Sequence, residues 1–246
     1  MRLWFLPFYF ICLLWLKWRA KSLYKGVKVK NKPYDKNRAY HLVRRICQYT
    51  KFLYKFKIEV QGLKNIPDKK MCLITPNHQS NFDPILMILA MPKKTYPAFI
   101  AKEELLKDWK VNSFLKIIYS FPLNRQSLRQ SLEIINASTE HMIKNKSPLI
   151  IFPEGTRSKS KEMGEFKPGA FKPAFISTAP IIPVTIVNSI DITSNIHKRM
   201  INNSFSKKMK PTIKIIFHTP VKYDNFHHKN TTSVAEEVKK IIGKSI

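Results

Sequence analysis

The sequence predicts an α/β domain whose mixed, largely parallel sheet is flanked by helices, preceded by an N-terminal membrane-associating two-helix element. Three observations predict it. From Ile58 onward, short apolar runs alternate with segments of helical periodicity. The segments richest in reactive side chains directly follow runs that read as strands, where folds of this class place their sites. The chain also opens on an apolar, tryptophan-bearing run with basic residues on both sides.

Leu3 to Leu16 is almost unbroken in apolar and aromatic residues, with Arg2 before it and Lys17, Arg19, Lys21, Lys25, Lys28 and Lys30 after it. The uncharged stretch is shorter than the roughly 20 residues of a comfortable spanning helix, and no small-residue cleavage site follows it. Trp4, Trp15 and Trp18 favour the headgroup boundary, and the basic cluster favours the cytoplasmic side. A buried core helix is the alternative. In a second segment, Tyr40 to Lys57, residues Leu42, Ile46, Tyr49, Leu53 and Phe56 recur at spacings of four and three, which lines them along one helical face. That stripe can lie on a bilayer or pack on the protein's own core; both readings stand.

Beyond it, Met71 to Thr75 reads as a buried strand, Pro84 to Ala90 as a short helix and Tyr96 to Ala101 as a strand. Ser127 to Lys144 is a long helix carrying Leu128, Leu132, Ile135 and Met142. Pro148 to Phe152, Ile181 to Val187 and Thr212 to Phe217 are further strands, and Val234 to Ile242 closes with a helix. The 246 residues show no internal repeat or low-complexity linker, so one main domain with an N-terminal appendage is expected.

Composition narrows the partners. The 44 Lys and Arg against 16 Asp and Glu give a formal net charge of +28, which calls for an anionic partner such as phosphate, nucleic acid or acidic lipid. No helix-turn-helix, zinc-finger or RNP-like pattern supports nucleic acid, and an apolar start does not serve it. Cys12, Cys47 and Cys72 lie in apolar surroundings without CxxC spacing, which argues against a disulfide framework or a zinc site; the seven histidines form no ligand pattern.

Two motifs carry chemistry. Asn77-His78-Gln79-Ser80-Asn81-Phe82-Asp83 supplies an imidazole with a carboxylate five positions on. If a helix begins at Pro84, the intervening loop can fold Asp83 back onto one ring nitrogen, fixing the tautomer and leaving the other nitrogen to accept a proton. Asp83 can also serve as N-cap of that helix, and the two roles are compatible. Ser80 lies too close to His78 for a Ser-His-Asp triad and no GxSxG elbow occurs; Cys72 sits mid-strand as a small buried hydrophobe. The base therefore activates a hydroxyl on the substrate. In Phe152-Pro153-Glu154-Gly155-Thr156-Arg157-Ser158, a Gly-bearing turn follows a strand. Arg157 there can fork onto phosphate, Thr156 and Ser158 can add hydroxyls, and Lys159, Lys161, Lys167 and Lys172 raise the potential. A surface turn with a solvated arginine is the alternative. Phe121-Pro122-Leu123-Asn124-Arg125 offers a second arginine before a helix.

In this order the segments resemble the glycerolipid acyltransferase family that contains the bacterial 1-acyl-sn-glycerol-3-phosphate (lysophosphatidic acid) acyltransferases. His78 to Asp83 is similar to its His-x4-Asp (HX4D) block, Phe121 to Arg125 to its second, Phe152 to Ser158 to its third and Ile181 to Ile186 to its proline-centred fourth. The resemblance spans roughly residues 58 to 220. It implies a membrane-docking element over residues 1–57 and an acyltransferase catalytic domain over 58–246. It also implies transfer of a fatty acyl group from acyl-CoA or acyl-carrier protein to the free sn-2 hydroxyl of lysophosphatidic acid, giving phosphatidic acid on the cytoplasmic face of an anionic phospholipid membrane. By the same resemblance His78 is the general base, Asp83 its orienter, and Arg125, Glu154, Gly155 and Arg157 form the acceptor site, with Thr156 beside them. Asn124 before Arg125 departs from the commoner residues of the second block. No metal or cofactor is required. Acylation of glycerol 3-phosphate or of another lysophospholipid is the sister activity, and a non-catalytic basic protein binding membrane or nucleic acid is the rival of another class.

Overall fold

Consecutive residues of a strand point to opposite faces of its sheet, and in this chain that alternation divides the core into two layers. The structure, a computed structural model, describes residues 6–30, 32–67, 71–109, 111–158, 162–192 and 211–246. Among these, seven strands form one sheet: β1 (Lys57–Gln61), β2 (Leu73–Pro76), β3 (Ala98–Lys102), β4 (Ser120–Leu123), β5 (Leu149–Ile150), β6 (Ile181–Val187) and β7 (Thr212–Phe217). Their order is β1-β7-β6-β2-β5-β3-β4. Every neighbouring pair is parallel except β6 with β7. Strands β6, β2, β5, β3 and β4 therefore deliver their C-terminal ends to a single edge.

Ile74, Phe99, Ile150 and Ile182 face one layer, formed by α1 (Leu6–Lys28), α2 (Lys36–Tyr54), α3 (Asp83–Ala90) and α4 (Asn112–Leu115). Their neighbours Leu73, Ala98, Leu149 and Ile181 face the other, formed by α5 (Leu128–Asn145), α6 (Lys172–Ser177) and α7 (Thr231–Gly243). Central strands covered on both sides read as continuous apolar runs, which is why β2, β5 and β6 were visible in the sequence.

The amino-terminal helices share the first of these layers, so the apolar core continues across residue 57. The basic flank does not end α1, which runs on to Lys28; Lys and Arg are good helix formers. Arg2 and Trp4 lie outside the described residues. Leu13, Leu16 and Ala20 of α1 are buried, while Phe8, Ile11, Leu14, Trp15 and Trp18 stand exposed on the opposite face, Trp18 at 66 %. No helix among the described residues is long and apolar enough to cross a membrane.

Of the two readings of the second stripe, core packing is the observed one. Asp35 caps α2 by accepting the Arg38 amide, and Leu42, Ile46 and Leu53 are buried against the protein, whereas Tyr49 faces out. Arg44, on the cationic part of this helix, donates to the carbonyls of Ile88, Leu89 and Met91 at 2.9–3.0 Å, satisfying the otherwise unpaired C-terminal end of α3. In α5, Ile135 and Met142 are buried as expected, but Leu128 is 78 % exposed and Leu132 also faces solvent. The apolar face was read in the right direction, and its first two turns extend beyond what covers it.

Candidate active site

Strand β2 ends at Pro76, and Asn77 continues its ladder with a side chain. The Asn77 amide donates to Ile186 O at 3.0 Å and its carbonyl oxygen accepts Ile186 N–H at 2.7 Å, so the chain leaves the sheet from a fixed point on β6. His78 comes next. Its Nδ1 lies 2.8 Å from Asp83 Oδ2, an oxygen that also accepts the Gln79 and Ser80 amides at 2.7 Å each. A carboxylate oxygen only accepts, so Nδ1 carries a proton, and in the neutral imidazole Nε2 is left with its lone pair. Asp83 is fully buried, while the His78 side chain retains 17 % exposure.

Asp83 is not the N-cap. It is the first helical residue, Phe82 occupies the cap position without a side-chain bond, and Pro84 follows where its missing N–H costs nothing. The carboxylate has turned back toward residues 78–80 instead of forward to the helix amides. The cap reading is thereby corrected in favour of the dyad.

The second motif follows β5, the neighbour of β2, and holds the first from below. Glu154 is 3 % exposed; its Oε1 accepts the His78 amide at 2.6 Å and its Oε2 accepts the Gly164 amide at 2.9 Å. Burial pushes this carboxyl above the usual carboxylate range, and those two amide bonds oppose the shift. Ser158 donates from its backbone N–H at 2.8 Å and its hydroxyl at 3.2 Å to the His78 carbonyl. The Phe152 ring lies 4.4 Å from the imidazole, centroid to centroid, covering one of its faces. Gly155 closes the turn through its N–H to Phe152 O at 3.1 Å with φ +68°, a left-handed conformation that strains any residue with a Cβ.

Thr156 and Arg157, at the tip of this turn, are exposed. Arg125 follows β4, two strands from β5, so at about 4.8 Å per strand it starts roughly 10 Å from that turn. It is exposed and lies near Glu104, whose carboxylate pairs with Lys102 at 3.0 Å; partial desolvation lowers the guanidinium's affinity for its proton and the Glu104 charge opposes this. Neither arginine is in an ion pair among the described residues. Lys167 pairs at 3.6 Å with Glu165, both exposed, while Lys159 and Lys161 lie outside the described residues. Of the residues singled out from sequence, the fold joins His78, Asp83 and Glu154 by direct bonds, sets Gly155, Thr156 and Arg157 on the adjoining turn, and leaves Arg125 across the edge. Cys72 is fully buried and its thiol is pushed up to about 12 by burial.

Sequence reasoning gave no role to Phe152 and Gly164 and read Ser158 only as a hydroxyl donor. Phe152 and Ser158 stood inside the motif; Gly164 had no signal beyond its place a few residues after it.

Residues 57–187, more than half of the chain, match the family model described as Acyltransferase. The chain belongs to the acyltransferase family. A probable 1-acyl-sn-glycerol-3-phosphate acyltransferase of Mycoplasma pneumoniae is 34% identical over 199 residues, 80% of this chain and 73% of that one. Its counterpart in Mycoplasma genitalium is 32% identical over 203 residues, 81% and 74% of the respective chains. The crystal structure of the 1-acyl-sn-glycerophosphate (LPA) acyltransferase PlsC from Thermotoga maritima has the same fold, with TM-score 0.66 and 20% identity over 96% of this chain and 95% of that one. The matched family segment runs from β1 to the end of β6 and so contains the dyad, the Gly-bearing turn and Arg125.

Proposed function

We propose that this acyltransferase moves a fatty acyl group from a thioester, acyl-CoA or acyl-carrier protein, to the sn-2 hydroxyl of 1-acyl-sn-glycerol 3-phosphate, giving phosphatidic acid. The observation that carries the reading is the committed Nδ1 of His78, which leaves Nε2 as an acceptor at the C-terminal edge of the sheet. Nε2 takes the hydroxyl proton as the oxygen attacks the thioester carbonyl. Asp83, fully buried, stabilises the imidazolium that forms. Collapse of the tetrahedral intermediate breaks the C–S bond, and the imidazolium returns the proton to the departing thiolate. The acceptor phosphate is held by Arg157, with Thr156 and Arg125 contributing, since exposed guanidinium forks that make no ion pair among the described residues suit a dianionic phosphate.

The exposed face of α1, Phe8, Ile11, Leu14, Trp15 and Trp18, seats the enzyme in the headgroup region of an anionic membrane, with Lys17, Arg19 and Lys21 following on the same helix. That is where a lysophospholipid acceptor resides. The test is to supply the purified protein in vesicles with labelled acyl-CoA or acyl-carrier protein and a panel of acceptors. Labelled phosphatidic acid from lysophosphatidic acid is the expected product; labelling of glycerol 3-phosphate instead, or of no acceptor, overturns the reading.

A further inference from the structure

The turn that follows β5 grips the catalytic peptide at both of its polar ends. The His78 amide is held by Glu154 Oε1 and the His78 carbonyl by the Ser158 amide and hydroxyl. Glu154 reaches no further outward, because its second oxygen accepts Gly164 N–H at 2.9 Å and the side chain is buried. The fit on that side is close as well: a Cβ built on Gly164 would stand 3.1 Å from Glu154 Oε2, so glycine is what lets the 162–167 segment approach the carboxylate. A substrate-binding carboxylate would instead present a free oxygen toward solvent, and would repel the phosphate it was meant to help recognise.

We infer that Glu154 is a positioning residue of this acyltransferase, one that sets the backbone of His78 through the peptide N–H and does not touch the acceptor. Together Glu154 and Ser158 form a clamp whose middle residues, Thr156 and Arg157, face outward. The anchor of the base and the proposed anchor of the acceptor phosphate thus share one five-residue turn, and the distance between base and phosphate is fixed by that turn's internal geometry. A tilt of the His78 peptide swings the imidazole about its Asp83 bond and misaims Nε2, a loss that falls on turnover rather than on acceptor affinity.

The inference rests on His78 being the base, so His78→Ala is measured beside it. In Glu154→Gln the side chain keeps its shape but offers only one acceptor oxygen, and its NH2 opposes an amide N–H; one of the two ties must break. Expected are a fall in kcat of roughly 10- to 100-fold, an acceptor KM changed by less than about 3-fold, and displaced imidazole resonances of His78 in spectra of 15N-histidine-labelled protein. Gly164→Ala pushes on the same carboxylate from the other side and should shift the same resonances with a smaller loss of kcat. A raised acceptor KM with kcat and the His78 resonances unchanged overturns the positioning role and returns Glu154 to the acceptor site. Should Glu154→Gln fail to fold, Gly164→Ala decides by the same readouts. Undiminished turnover in folded His78→Ala would sink the base itself, whereas lost turnover there with full kcat in Glu154→Gln sinks only the clamp.

Discussion

The loop that carries His78 and the loops that carry the arginines leave the same sheet edge yet are built in opposite ways. Asp83, with Oδ2 on three donors, and Glu154 fix the first loop, and the His78 amide and carbonyl are both taken up. Arg157 and Arg125 stand exposed with no ion pair among the described residues. On the proposed roles, the difference follows from what each loop must do. A base must be aimed before substrate arrives, because misalignment by about 1 Å can cost roughly 100-fold in rate; a charged fork recognising a mobile phosphate gains its energy on contact and tolerates solvent beforehand.

That contrast can be broken by substitution, and the sizes of the effects should rank accordingly. His78→Ala removes the proton acceptor and should lower kcat by about 100-fold or more with folding unchanged by circular dichroism. Asp83→Asn retains an oxygen for the three donors but not the charge that stabilises the imidazolium, so kcat should fall by roughly 10- to 1000-fold with only a small loss of thermal stability. An equal or larger loss of folding than of turnover would mean the carboxylate is chiefly structural.

On the open side the losses should appear in acceptor saturation. Arg157→Ala should raise the acceptor KM by roughly 100-fold and Arg157→Lys by about 10-fold, because the lysine keeps the charge and loses the planar fork. If the donor KM rises and the acceptor's does not, Arg157 serves the thioester. Arg125→Ala, across the edge and near Glu104, should cost less, about 3- to 10-fold in the same constant.

The smallest effect concerns Cys72. Burial raises its thiol from 9.0 to about 12, so the folded protein should resist alkylation at pH 8 and Cys72→Ser should leave turnover nearly unchanged. Because the folded state holds this proton more tightly than the unfolded one, the thiol's contribution to stability is intact below about pH 9 and is lost as pH rises toward 12. Rapid labelling of Cys72 in the native protein at pH 8 would show that the strand opens.

The same division between closed and open surroundings governs what the sequence revealed. The central strands β2, β5 and β6 and the dyad were legible because burial on both faces forces continuous apolar residues and because a strand end, a loop and a Pro-started helix bring His78 and Asp83 within reach. The edge strands were not. β1 alternates exposed and half-buried residues, and β4 contains Pro122, which periodicity counts against a strand but which an edge position tolerates. That Arg44 closes the end of α3 depends on two helices meeting in space, which no local pattern shows. Glu154 lay inside its motif, but its inward orientation depends on Gly164, ten residues on, whose approach no local pattern announces.

The relation between His78 and Asp83 is tested most directly by a double-mutant cycle on kcat. If the carboxylate acts through the imidazole, Asp83→Asn should cost less than about 3-fold in a His78→Ala background, although it costs at least about 10-fold in the native enzyme. Equal losses in both backgrounds would contradict the dyad and assign Asp83 an effect independent of the base.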